Sequence, residues 1–231
     1  MKMEDRGIRI ANKILDGILT VFFCLVISVG FYIMIDAKQV YLQAEQYQLS
    51  HRKPELPAEE VLKEISGNAI GRITIDDTPV DYPVLQSDNN LEYLSKDPDG
   101  NYSMAGSIFL DFRNKPDFTD PYNIIYGHHM PDGLMFGALD AFADPSYFAS
   151  HRRGTLFLKG RELAFYTSAF LIVRADIPEI FEPGYQRDFS QFLSEHALQF
   201  DPSSLTGHFL ALTTCTEQGD SNREVLLISL K

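Results

Sequence analysis

From Gly17 to Ile35 the chain runs through nineteen residues without a charge, GILTVFFCLVISVGFYIMI. As a helix rising about 1.5 Å per residue, this stretch is about 28 Å long, close to the thickness of a bilayer's hydrocarbon core. It therefore predicts a transmembrane anchor over residues 14–35. A cleaved signal peptide is the competing reading, but the run is longer than the usual apolar region and no small-x-small site follows it. Lys2, Arg6, Arg9 and Lys13 precede the run, against Glu4 and Asp5. Positive flanks stay in the cytoplasm, so residues 1–13 are expected inside and everything after the anchor outside the cell.

Residues 1–35 carry four basic and three acidic side chains, a net +1. The remaining residues therefore hold −13 of the chain's total of −12. Such an exported part is a poor fit for nucleic acid or an anionic lipid surface as its main partner. Only two cysteines occur, Cys24 inside the apolar run and Cys215 near the carboxyl terminus. They have no plausible way to meet, so Cys215 is expected as a free thiol. A small buried hydrophobe is the commonest fate of such a residue, and on cysteine count alone that reading leads.

Residues 36–65 are rich in Gln, Glu, Ala and Leu, which predicts helix on either side of Pro54 and Pro57, a stalk or cap. From Ala69 the texture changes to short β-branched or alternating runs separated by turn residues. AIGRITI, VDYPVL, GSIFLDF, NIIYG, GTLFLKG, LAFYTSAFLIV, HFLALTTC and EVLLISL read as eight strands. Helix candidates are few: NNLEYLSK, GLMFGALDAFA and FSQFLSEHALQF. The pattern predicts a mostly β domain over residues 66–231, a closed eight-stranded barrel with added helices, one of them in the loop before the penultimate strand.

Cys215 ends a strand candidate, and polar residues follow it. A thiol is only a few per cent thiolate near neutrality, so a reactive cysteine needs a cationic or basic neighbour. Arg223 opens the last strand candidate eight positions later, and a hairpin would bring its guanidinium back toward the sulfur. Tyr126-Gly127-His128-His129 follows the apolar Asn123-Ile124-Ile125 run, so the histidines also fall at a strand end, with Gly127 permitting an unusual backbone angle. Adjacent strand residues point in opposite directions and no third ligand stands at metal spacing, so no metal is expected.

These motifs together resemble the class B sortases, cysteine transpeptidases of Gram-positive cell surfaces. The resemblance rests on the Thr213-Thr214-Cys215 triplet with Arg223, on Tyr126 to Met130 with Met135-Phe136-Gly137, and on Asp81 to Leu85. Asp88 to Leu94, Gly106 to Asn114 and the single amino-terminal anchor complete it. It covers about residues 66–231. It implies Cys215 as nucleophile, His128 as proton donor and acceptor, Arg223 as the charge beside the oxyanion, and Asn90, Leu94, Tyr126 and Thr213 as contacts of the bound peptide. His129 is then expected beside the site and not in it. The implied partners are secreted proteins with a carboxyl-terminal sorting motif and a cell-wall peptide amine, and no cofactor is implied. The segment from about Ala175 to Gly207 is implied as a wall of the peptide groove. Joining of pilin subunits is an alternative, lowered because the lid and second membrane segment of dedicated pilin sortases find no counterpart in these residues. A non-catalytic exported binding barrel is the alternative from a different class.

Overall fold

The computed structural model describes residues 4–51, 69–205, 207–215 and 221–230. Pro54, Pro57 and the expected boundary at residues 65 and 66 lie outside the described residues. The chain divides into two compact units, Met1–Leu42 and Gln43–Lys231. Helix α1 (Glu4–His51) is continuous across the expected join between anchor and stalk. Its stretch Asn12–Gln46 is long and apolar enough to cross a membrane by length and composition, a test that signal sequences also pass. The hydroxyls inside it are satisfied within the helix: Thr20 Oγ1 donates to the Asp16 carbonyl at 2.7 Å and Ser28 Oγ to the Cys24 carbonyl at 2.8 Å. That local bonding is what an apolar medium requires of a polar side chain.

The second unit is built on one sheet. Its strands are β1 (Ala69–Ile75), β2 (Asp81–Leu85), β3 (Ile108–Leu110), β4 (Tyr122–Tyr126), β5 (Arg153–Leu158), β6 (Arg161–Arg174), β7 (Gln199–Phe200), β8 (His208–Cys215) and β9 (Asn222–Leu230). They follow the order β5-β1-β2-β3-β4-β8-β9-β6-β7, and pairing of β5 with β6 closes eight of them into a barrel. All eight expected strands are present. The two-residue β7 is an addition on the outer side of β6.

Alternation along the strands divides the core. Ile125, Leu210, Leu212, Leu226 and Ile228 fill the barrel with Tyr82, Phe136 and Phe142. Tyr122, Ile124, Ala211, Val225 and Leu227 face the other way and are covered by Ile180, Phe189 and Leu193. The period of two along β4, β8 and β9 produces both layers. The cover comes from the β6–β8 connection, which carries α3 (Pro178–Phe181) and α4 (Phe189–His196). In α4 the buried Phe189 and Leu193 stand four apart, one face of a short helix. Ahead of β5, α2 (Pro145–Ser150) starts as its sequence directs: Asp144 accepts from the Tyr147 N–H at 2.8 Å and Pro145 takes the first helical position.

The three expected helices are only partly helical. Within NNLEYLSK a single 3₁₀ turn forms, Glu92–Leu94. The Asn89 side chain accepts from the Leu91 and Glu92 N–H groups, and the strand-like bridge of Lys96 to Tyr102 ends the turn. Phe136–Ala143 is 3₁₀ in geometry. FSQFLSEHALQF divides into α4 and β7.

Candidate active site

Three neighbouring strands end together. Strands β4 and β8 are parallel, with Tyr126 opposite Thr213, and the Gly127 N–H donates to the Thr213 carbonyl at 3.1 Å. Strands β8 and β9 are antiparallel, with Cys215 opposite Arg223. His128 lies two residues past Tyr126, as Cys215 lies two past Thr213. Strand β8, which ends at Cys215, thus lies between β4, which leads into His128, and β9, where Arg223 stands opposite Cys215. In the period-two alternation, positions 211 and 213 of β8 share the sheet face covered by α3 and α4, and so do 223, 225 and 227 of β9.

His128 is half-buried, and its Nε2 lies 2.8 Å from the Leu94 carbonyl. A carbonyl oxygen only accepts, so Nε2 carries the hydrogen and Nδ1 is the nitrogen left for proton exchange. The backbone beneath it is pinned, because the Phe136 N–H donates to the His128 carbonyl at 3.0 Å. Gly106 closes the other side: a Cβ there would come within 2.6 Å of the Tyr93 carbonyl, 2.8 Å of that of Leu94 and 3.0 Å of His128 Cδ2. Gly127 does not use a left-handed backbone angle, contrary to expectation. Space favours glycine there, since a Cβ would meet Ile108 Cδ1 and, at 2.7 Å, the Phe136 ring.

His129 turns away from His128, as neighbours at a strand end do. Its side chain is 9% exposed and its Nε2 lies 2.9 and 3.0 Å from the two carboxylate oxygens of Asp140. Glu224, buried and facing the same barrel mouth, brings a carboxylate oxygen so that the three ligand atoms lie within 4.8 Å of one another. This set has the chemistry to hold a cation, and the imidazole–carboxylate pair also closes on itself.

Arg223 is half-buried, and its Nη1 donates to the Asn222 carbonyl at 2.8 Å. The strand that flanks it, β6, pairs Val173 with Arg223 and Arg174 with Asn222, then leaves the sheet into the α3–α4 connection. The Ala175 N–H donates to the Ser221 carbonyl at 2.9 Å. The connection expected as a groove wall therefore departs beside the arginine.

Leu94 is 39% exposed. The polar groups of Asn90 and Tyr126 are engaged internally: Asn90 Nδ2 and the Tyr126 hydroxyl each donate to Asp111 Oδ2 at 3.0 Å. Asn90 Oδ1 accepts from the Phe112 N–H at 3.0 Å. Thr213 is buried on β8. Asp111, fully buried, also holds Arg113 through both oxygens, at 2.9 Å from Nε and 2.8 Å from Nη2. Burial opposes ionisation of Asp111, but these donors outweigh it and keep the carboxyl below the usual carboxylate range. Burial, with the Asp111 charge, pushes the Tyr126 phenol well above its ordinary value. Asp111 and Arg113 were read only as part of the Gly106 to Asn114 motif, because the contacts that join them to other segments lie far along the chain.

A cavity of about 770 Å³ lies at the other end of the barrel, lined by Asp76, His151, Arg152, Tyr166, Asp201 and Ser229 among others. Ser229 is six residues from Arg223 along β9, so this cavity is separate from the His128–Cys215–Arg223 end.

The chain is 30% identical over 179 residues to sortase B of Listeria monocytogenes, covering 74% of this chain and 72% of that protein. Among solved structures, it is similar to a Streptococcus pyogenes class B sortase involved in pilus biogenesis. That match has a TM-score of 0.68 and 30% identity over 78% of this chain and all of that one. It is also similar to a sortase B from the type II pilus of Streptococcus pneumoniae, with a TM-score of 0.62 and 31% identity over 74% of this chain and 96% of that one. No protein-family model matches the chain.

Proposed function

The chain belongs to the class B sortase family of cysteine transpeptidases, and from that premise we propose that Cys215, His128 and Arg223 carry out a two-stage acyl transfer. The observation that carries the reading is the juxtaposition of the ends of β4, β8 and β9, with Cys215 between the other two. The Cys215 thiolate attacks the carbonyl of a threonine in the sorting motif of a secreted protein, forming a tetrahedral oxyanion. Collapse of this adduct breaks the peptide bond, leaves a thioester on Cys215 and expels an amine, to which His128 gives a proton. A cell-wall peptide amine then attacks the thioester, losing its proton to His128 as the new amide forms and the thiolate departs. Arg223 supplies fixed positive charge to both oxyanions. The family assignment sets aside the non-catalytic barrel.

Leu94, exposed beside His128, contacts the bound peptide directly, and Asn90, Tyr126 and Thr213 form the floor on which it lies. Residues 14–35 anchor the chain with the amino terminus in the cytoplasm, residues 36–65 are the stalk, and the catalytic unit over 66–231 works outside. The polarity of the flanking charges supports this orientation.

The test is incubation of the full chain with a library of sorting-type pentapeptides and a wall-peptide amine, read by mass spectrometry. A thioester mass on Cys215 and an amide product are expected; product formation by Cys215→Ala would overturn the reading. Two relatives associated with pili favour a second reading, in which the acceptor is a lysine of a pilin subunit. A pilin lysine offered as acceptor in competition with the wall peptide separates the two.

A further inference from the structure

One buried carboxylate joins three segments that border the site. Asp111 directly follows β3 and is fully buried. Its Oδ2 accepts from Asn90, in the loop leading to Leu94, and from Tyr126, the residue before Gly127-His128. Through Arg113 it reaches a third segment: Nη2 donates to the Phe181 carbonyl at 2.7 Å and Nη1 to Glu182 Oε2 at 2.8 Å. Phe181 ends α3, in the connection that starts beside Arg223. The loop of Asn90 is further drawn in by Gln86 Nε2, which donates to the Asp111 carbonyl at 2.9 Å and to that of Asn114 at 2.7 Å.

We infer that Asp111, acting with Arg113, is a positioning residue that latches both walls of the peptide groove to the end of β4. The inference rests on the catalytic reading above for what the groove does, but not for the latch itself. A desolvated carboxylate with several charge-assisted or hydroxyl donors is strongly held, and each donor here belongs to or touches a different segment. Asp111 acts through Asn90, Tyr126 and Arg113. Losing it frees Asn90, Tyr126 and Arg113 from their shared partner while the barrel strands keep their ladders. Substrate capture should therefore suffer more than the intrinsic reactivity of the thiol.

The barrel provides its own comparison. Arg72 and Asp81 form another buried pair, with Nε to Oδ1 at 2.6 Å and Nη2 to Oδ2 at 2.7 Å, joining β1 to β2. Hydrogen-exchange mass spectrometry on the full chain should show Asp111→Asn raising exchange together in residues 88–94 and 178–186, by about tenfold, with β5 unchanged. Arg113→Gln, which leaves the carboxylate in place, should raise it in 178–186 alone. Asp81→Asn should lower thermal stability without singling out either loop. Exchange that rises in neither loop with Asp111→Asn, or rises uniformly over the barrel, overturns the latch. If Asp111→Asn does not fold, Arg113→Gln decides: protection of 178–186 unchanged from wild type overturns the latch, and selective loss supports it.

With a peptide that the wild type turns over, Asp111→Asn should raise KM about tenfold or more, while labelling of Cys215 by a small methanethiosulfonate stays within about twofold. An equal loss in both assays would mean a general structural role and overturn the positioning role. Wild-type protein inactive on every sorting peptide would count against the catalytic reading, and the exchange data would still decide the latch.

Discussion

Cys215 and Arg223 are register partners at the ends of two antiparallel strands, directly opposite one another although eight positions apart in the chain. Directly opposed residues have Cβ atoms about 4.5–5.5 Å apart on one face of the sheet. In the proposed mechanism this guanidinium supplies fixed positive charge to the anions formed at Cys215. The strand ladder, not the side chains themselves, sets the spacing. Replacing either side chain should thus change the chemistry and leave the ladder in place. For Cys215→Ala the expected outcome is loss of transfer by at least about a thousandfold, with an unfolding midpoint within a few degrees of wild type. Product mass spectrometry and thermal denaturation check the two halves.

Arg223→Lys keeps the charge and loses the planar fork. An ammonium presents one point of charge where the guanidinium bonds through several fixed directions, one of which already holds the Asn222 carbonyl. A fall of about tenfold or more in kcat/KM is expected, seen chiefly in kcat. Near-normal kcat would remove Arg223 from the mechanism.

Gly106 sits at φ +59° with backbone oxygens of Tyr93 and Leu94 where its Cβ would go. Those are not flexible side-chain ends, so Gly106→Ala must displace the loop whose Leu94 carbonyl holds His128. A destabilisation of about 2–4 kcal/mol is expected, with kcat/KM falling further than the loss of folded protein explains. Denaturant titration and steady-state kinetics on the same preparation test this.

What the sequence made legible follows the range of the interactions. The eight barrel strands depend on local alternation and turn residues, and each could be read. Strand β7 has two residues, too few for a period, and it was absorbed into a helix that ends at His196. The 3₁₀ turn at Glu92–Leu94 was expected as longer helix, because Asn89 caps it locally while the Lys96–Tyr102 bridge, which is less local, stops it. His128, Cys215 and Arg223 were each found at a strand end, but only the strand order brings those ends together. Asp111 was beyond reach: Asn90 lies 21 positions before it, Tyr126 15 after, and the contacts of Arg113 about 70 away. Gly127 was read as permitting an unusual backbone angle, but its φ is not left-handed, and what the site limits there is space.

His129 provides the contrast with His128. Its backbone is held by the bridge to Met135 and the Phe136 bond to the preceding carbonyl, neither of which needs the imidazole. Its ring is spent on Asp140, inside the barrel mouth. His129→Ala should therefore cost about 1–3 kcal/mol of stability while kcat/KM, corrected for folded fraction, stays within about fivefold. Loss as deep as that of His128→Ala would contradict the division of labour between the two histidines.

The latch at Asp111 also has a pH signature. Its carboxyl is held below the ordinary value in the folded chain, because the donors from Arg113, Asn90 and Tyr126 outweigh the opposing effect of burial. A carboxyl with a depressed folded pKa contributes stability that is present above its unfolded pKa, about 3.9, and that disappears as pH falls through the lower folded value. The other acidic groups are common to wild type and Asp111→Asn, so the difference between the two isolates this one. The gap in unfolding free energy should be largest at pH 6–7, stay nearly constant down to about pH 4, and narrow steadily below it. Urea titrations at pH 7, 4 and 3 measure that gap, and one that widens toward pH 3 would mean that Asp111 is not held as the anion implied by the five hydrogen bonds it accepts.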